Sequence, residues 1–289
     1  MASTFFEKGR EALAGSSDWG GDTIKAQAIR LTTTDTGIKA ITAASNATPI
    51  VITSNSHGFS NGDLILIGKV GGNLAANTIV KAANVAANTF ECTDPVTGAN
   101  ISGSAAYTSG GYAVCLGPSA SGDFMDDFDG ALVGTAVTLA GKTNTGGVLD
   151  ANDVTLTGIP QSSTEVEAII IWKDTGSMAS SIPLIIHDGK HTVVCAADAA
   201  ASATTMFVER LSAGIPNGTV LTFTNGKSAT LSALANAGDR SITVSALANS
   251  IAAGSRADSV QTSSGLPFAP NGNDVVNSWD NGTNRIAKI

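Results

Sequence analysis

The sequence predicts a mainly β fold, built as a discontinuous β-sandwich-like core domain with one short N-terminal helix and two small inserted β modules. Three observations predict it. Residues 219–223, 227–233 and 240–247 alternate apolar with hydroxyl side chains, which is the period-2 signature of strands with one wet face. Gly, Asn or Asp punctuates the gaps between such segments. Charged residues make up only 14% of the 289-residue chain, well below the roughly 25% of ordinary soluble domains. Surface polarity must therefore come from Ser, Thr, Asn and backbone, which suits sheets whose outward positions are hydroxylated.

The elements follow in order. Phe5, Phe6, Gly9, Ala12 and Leu13 recur at helical spacing, with Ser3 or Thr4 as N-cap and Gly15 as the stop, so one short helix is expected. Residues 23–28 then alternate, and Ile29 and Leu31 shift the apolar parity by one, as a β-bulge would. Residues 41–112 read as a separate Asn/Ala/Gly-rich unit of four to six short strands, a small barrel or sandwich. Its candidate strands lie at residues 49–53, 64–67 and 78–80, with turns at Asn61-Gly62-Asp63 and Gly71-Gly72-Asn73. Strands are expected again at residues 137–139, 148–149 and 154–156. The continuous run Glu167-Ala168-Ile169-Ile170-Ile171-Trp172-Lys173 predicts a strand covered on both faces.

Residues 196–262 form a second unit rich in hairpin signals, Ile215-Pro216-Asn217-Gly218, Asn225-Gly226 and Gly238-Asp239, with Leu221, Phe223, Ala229, Leu231, Ile242 and Val244 on one face. Trp279-Asp280-Asn281-Gly282 predicts a terminal hairpin. All three tryptophans lie outside the two units, so residues 1–40, 113–195 and 263–289 are expected to fold together as one core domain with 41–112 and 196–262 inserted. Insertions whose ends stay close add little closure entropy.

Function classes narrow on composition. A net charge of −8 repels phosphate backbones, so nucleic acid is not an expected partner. No segment approaches a membrane span and residues 1–11 lack a signal-peptide apolar region, so a soluble, cytoplasmically made chain is expected. Cys92, Cys115 and Cys195 are odd in number and far apart, which fits buried thiols rather than disulfides or a metal knuckle.

The places where chemistry could sit are few. His187-Asp188-Gly189-Lys190-His191 is the one His cluster, but Gly189 opposes a helix that would align two imidazoles, and the segment reads as a solvated polar turn. Asp123, Asp126, Asp127 and Asp129 lack the calcium-loop spacing, and the interleaved Phe124, Met125 and Phe128 read as anchors of a loop whose carboxylates face solvent. His57 sits in a turn, Ser56-His57-Gly58-Phe59, with no nucleophile elbow anywhere in the chain. Glu165 and Glu167 share a strand face by spacing and read as solvated rim acids. Gly71-Gly72 and Gly146-Gly147 lack the lysine of a phosphate loop and read as turns. No catalytic, cofactor-binding or metal-ligating residue is assigned, and no enzyme activity is expected.

Three blocks carry a resemblance. The first is Glu7-Lys8-Gly9-Arg10-Glu11-Ala12-Leu13, Asp18-Trp19 and Asp22-Thr23-Ile24-Lys25-Ala26. The second is Asp126-Asp127, Thr138-Leu139-Ala140-Gly141-Lys142-Thr143, Gly147-Val148-Leu149-Asp150-Ala151-Asn152-Asp153-Val154-Thr155 and residues 167–176. The third is Gly265-Leu266-Pro267, Pro270-Asn271-Gly272 and Trp279-Asp280-Asn281-Gly282. Together they resemble a family of tailed-bacteriophage virion proteins. Asn46-Ala47-Thr48-Pro49-Ile50-Val51-Ile52-Thr53 with His57-Gly58 and Asn61-Gly62-Asp63, and residues 215–254, are similar to small β modules of phage structural proteins.

The resemblance implies a structural virion protein on the capsid exterior. It would be a head decoration (cement) protein bound to the major capsid protein, homo-oligomeric, and trimeric by analogy with other cement proteins. A tail fibre, tail tip or baseplate component contacting the host surface is the alternative. It names no catalytic residue and no cofactor.

Overall fold

A computed structural model describes the chain apart from residues 1, 16, 163, 189–192, 210, 212–214, 216, 224–225, 237–238, 258–269, 271, 278–286 and 289. The protein is mainly β, with 39% strand and 9% helix. Two compact units form, one from residues 1–4, 140–169 and 187–289, the other from residues 5–139 and 170–186. The expected hairpin at Trp279–Gly282 lies outside the described residues.

In the second unit, residues 38–117 build a seven-stranded antiparallel sheet. Its order is Ile38–Ala40, Tyr112–Gly117, Leu64–Gly68, Ile79–Ala83, Thr89–Thr93, Val51–Thr53 and Ala43–Ala44. The first and last strands of that order are separated by two residues only. Ile41 N donates to Gly111 O on one side and Thr42 N to Thr53 O on the other, both at 2.9 Å. One chain segment thus crosses the seam, and the sheet curls into a barrel. Inward positions alternate as a barrel requires: Ile50 and Ile52, Ile65 and Ile67, Val80 and Ala82, Phe90 and Cys92, and Ala113 and Cys115 share one buried core.

The same unit contains most of a second sheet, with neighbouring strands in the order Ile182–Asp188, Ala168–Lys173, Ile24–Ile29 and Leu132–Thr138. Ala168–Lys173 is buried from Ala168 to Trp172, as its unbroken apolar run predicts. The parity shift near Ile29 corresponds to an irregularity in the pairing with Leu132–Thr138, but the extra residues lie on the partner strand. Val133 faces Ala28 while Val137 faces Ala26, so residues 134–136 stand against Gln27 alone. Gly134 takes φ +72°, and the Gln27 amide donates to its carbonyl at 2.7 Å, filling the gap in the ladder.

The helix spans Glu7–Gly15, later than its pattern suggested, and Ala2–Phe5 is a strand, so Ser3 and Thr4 are not caps. Phe6 is buried against Phe128, with ring centroids 5.4 Å apart in an edge-to-face contact. Gly9 lets the helix backbone touch Pro183 and Leu184. A Cβ there would lie 2.5 Å from Pro183 O.

In the first unit, Gly146 and Gly147 at φ +60° and +79° turn a two-residue hairpin that pairs Thr143–Thr145 with Val148–Asp150. Val154–Leu156 pairs with Val275–Asn277. Residues 193–257 enclose their own apolar core, containing Cys195, Met206, Val208, Leu221, Phe223 and Ile242 among others.

Candidate functional site

One recess in the barrel unit has a volume of about 520 Å³ and walls of Ser56, His57, Gly58, Phe59, Val85, Ala86 and Ala87. His57 is 1% exposed. Its Nδ1 accepts a hydrogen bond from Phe59 N at 3.0 Å, which leaves the ring proton on Nε2. The ring stacks near Phe59 at 4.8 Å and meets Phe90 edge-on at 5.5 Å. Burial holds the imidazole below its ordinary pKa, although the nearby Thr89 and Ala86 carbonyls favour the proton. Neither carbonyl makes a hydrogen bond of standard length to Nε2. The recess walls supply no carboxylate and no cation, so His57 has no acid or base partner there and acts as a neutral aromatic anchor for its turn.

Asp63, six residues on, is 1% exposed and holds two loops. Its carboxylate accepts from Ser60 N at 2.7 Å and from Ser119 N at 3.0 Å. Cys115 Sγ lies 4.0 Å from Asp63 Oδ2 and 3.4 Å from Ser119 Oγ. Burial pushes the Cys115 thiol up to about 11, so it is not a ready nucleophile at neutral pH.

The acidic loop forms a 3₁₀ helix, Met125–Ala131, with Met125 and Phe128 buried as anchors. Its carboxylates are not all left to solvent. Asp127 reaches back to Gly122 N at 2.8 Å and Phe124 N at 3.4 Å, satisfying amides at the turn entrance. Asp123 pairs with Lys8 at 3.0 Å, and the same ammonium sits 4.1 Å from the centroid of the Phe124 ring. Asp126 and Asp129 are exposed.

His187 corrects a sequence expectation. It ends no solvated turn: it lies in the strand Ile182–Asp188 and is fully buried. Burial pushes its imidazole down to about 3. His191 lies outside the described residues. The apolar run Pro183-Leu184-Ile185-Ile186 marks the strand in the sequence, and nothing in His-Asp-Gly-Lys-His signals that it runs two residues further. Glu165 and Glu167 do not share an environment either, since Glu165 is exposed and Glu167 is 1% exposed at the start of the buried strand.

Elsewhere, Lys25 bonds Asp174 at 2.6 Å and Lys173 bonds Asp22 at 2.9 Å, and the Lys25 contact draws the Asp174 carboxyl below its usual range. Among the described residues, no three His, Cys, Asp or Glu side chains gather as a metal site, and no helix is long and apolar enough to cross a membrane. Compared with known proteins, the chain matches no family model and no curated sequence.

Proposed function

We propose that this chain is a structural virion protein that binds the exterior of a phage capsid as a decoration protein and acts by binding, without turnover. The sequence blocks at residues 7–26, 138–155 and 167–176, which resemble tailed-phage virion proteins, carry the reading. The disposition of the reactive side chains supports it. His57, Asp63, Asp123 and Asp127 each hold a loop or a packing contact rather than converging on one cavity. Such a protein would offer sheet-built surface to the major capsid protein. Many weak contacts, multiplied by the symmetry of a shell, would then oppose outward pressure from packaged DNA.

The test is to incubate the recombinant chain with undecorated, expanded shells and to measure co-sedimentation against added protein. Saturable binding at a fixed ratio to capsid subunits is the expected result. Binding to tails or host envelopes instead, or absence of the chain from purified particles, overturns the proposal. The first of these outcomes would transfer the reading to a tail fibre, tail tip or baseplate role.

A further inference from the structure

Residues 193–257 contain one design twice. Every residue of their core except Phe223 has a counterpart in the same core thirty-six positions away, including Met206 with Ile242, Val208 with Val244, Leu211 with Leu247 and Ile215 with Ile251. The backbone repeats with the side chains. Val208 N donates to Arg240 O and, symmetrically, Val244 N donates to Thr204 O, both at 2.9 Å. Leu211 N to Asp239 O at 2.9 Å is matched by Leu247 N to Ala203 O at 3.1 Å, and Gly218 N to Leu231 O at 2.9 Å by Gly254 N to Cys195 O at 2.7 Å. The bridges obey the same rule: Cys195 with Val208 corresponds to Leu231 with Val244, and Ile215 with Ala235 to Ile251 with Ala199.

Where Thr205–Phe207 pairs with Ser241–Thr243, the equivalent residues Met206 and Ile242 face each other. A local two-fold axis therefore runs through that pair, which is the isologous geometry of a symmetric dimer realised inside one chain. Surface positions are free of the constraint: exposed Phe207 and Val220 stand where the second copy has Thr243 and Arg256.

The two copies interlock. Leu221 of the first pairs with Ala229 of the second, and Ala257 of the second pairs back with Val193 of the first. Each half closes the core of the other, and the covalent link between them is the short loop joining Val220–Thr222 to Ser228–Thr230.

We propose that residues 193–257 are a self-association module through which two copies of this chain join by trading halves. The first half of one copy docks on the second half of the other through the contacts now made within each chain. Closed and exchanged forms share every contact outside the loop. Their balance is set by the effective concentration that the short link provides, on the order of mM. The chain is closed in dilute solution and pairs when copies are crowded to that level or when the loop cannot reverse direction. This inference stands on the module alone and does not depend on a virion role.

The test uses the full-length chain. Gly226 holds φ +77° in the connecting turn, a conformation closed to proline. Replacing Thr224, Asn225 and Gly226 by proline makes the link an extended spacer. The proline variant is expected to elute as a dimer of twice the chain mass by light scattering. Thr205 and Thr243 face each other in register. Co-refolding a proline variant carrying Thr205→Cys with one carrying Thr243→Cys is therefore expected to give a disulfide between chains. A folded monomer overturns the proposal. Should the proline variant yield no soluble protein, the two cysteine forms with the native loop are refolded together at about 1 mM, where exchange competes with closure. An interchain Thr205→Cys to Thr243→Cys disulfide supports the proposal there, and its absence overturns it.

Discussion

Lowering the pH from 6.5 to 5.0 is expected to destabilise the protein through His187, above the range where ordinary carboxylates titrate. The folded state holds this imidazole at about 3 because it is fully buried, against 6.5 for the free side chain. A folded-state value below the unfolded one means that the unfolded chain binds the proton first. The stabilising contribution is complete above 6.5 and is lost progressively as pH falls toward 3. Each pH unit inside that window removes about 1.4 kcal/mol, so pH 5.0 removes about 2 kcal/mol, a large share of a typical stability of roughly 5–15 kcal/mol. Asp174 and Asp94, whose carboxyls are drawn down by Lys25 and by the Thr97 turn amide, act only below their ordinary 3.8 and leave this window clear. His57, lowered by burial, adds to the same slope. Urea unfolding followed by tryptophan fluorescence at half-unit pH steps measures it, with His187→Gln as the comparison. The variant is expected to show a flatter dependence between pH 6.5 and 5.0. An unchanged slope refutes the assignment.

Two further outcomes are expected. Asp63→Ala leaves the part-buried amides of Ser60 and Ser119 without their carboxylate acceptor and is expected to lower stability by about 1–3 kcal/mol. Asp63→Asn, which keeps a carbonyl acceptor, loses less, and thermal unfolding of the two variants tests that ranking. Burial pushes the Cys92 and Cys115 thiols up to about 12 and about 11, so both are expected to resist a disulfide-exchange reagent at pH 8 until denaturant is added. Rapid modification of either in the native protein, located by mass spectrometry, would contradict that.

The parts of the fold legible in the sequence are those set by local period and turn chemistry. The run from Ala168 to Trp172 reads as a strand covered on both faces, and Gly146-Gly147 as a tight turn, and both form as such. What escaped depends on distant partners. Nothing near Ile41 shows that residues 38–44 serve both ends of one sheet, because that follows from hydrogen bonds to Gly111 and Thr53. Burial of His187 follows from how far a strand extends, and the role of Asp127 from amides that a local turn happens to leave open. The duplication is different, since its signal was present in the sequence. Val208, Leu211, Ile215 and Gly218 recur with identical spacing as Val244, Leu247, Ile251 and Gly254, a pattern that shows only when the chain is compared with itself.

The seam at Ile41 and Thr42 governs how the barrel unit can meet another molecule. Because one segment joins both ends of the sheet, the barrel offers an incoming chain only the short outer edges of Ile38–Ala40 and Ala43–Ala44 to extend. Recognition by the barrel therefore rests mainly on side chains and loop tips, of which Val96, 91% exposed on the Asp94–Gly98 turn, is the most prominent apolar example. It follows that neighbouring copies can crowd together without their barrels zipping into continuous sheets.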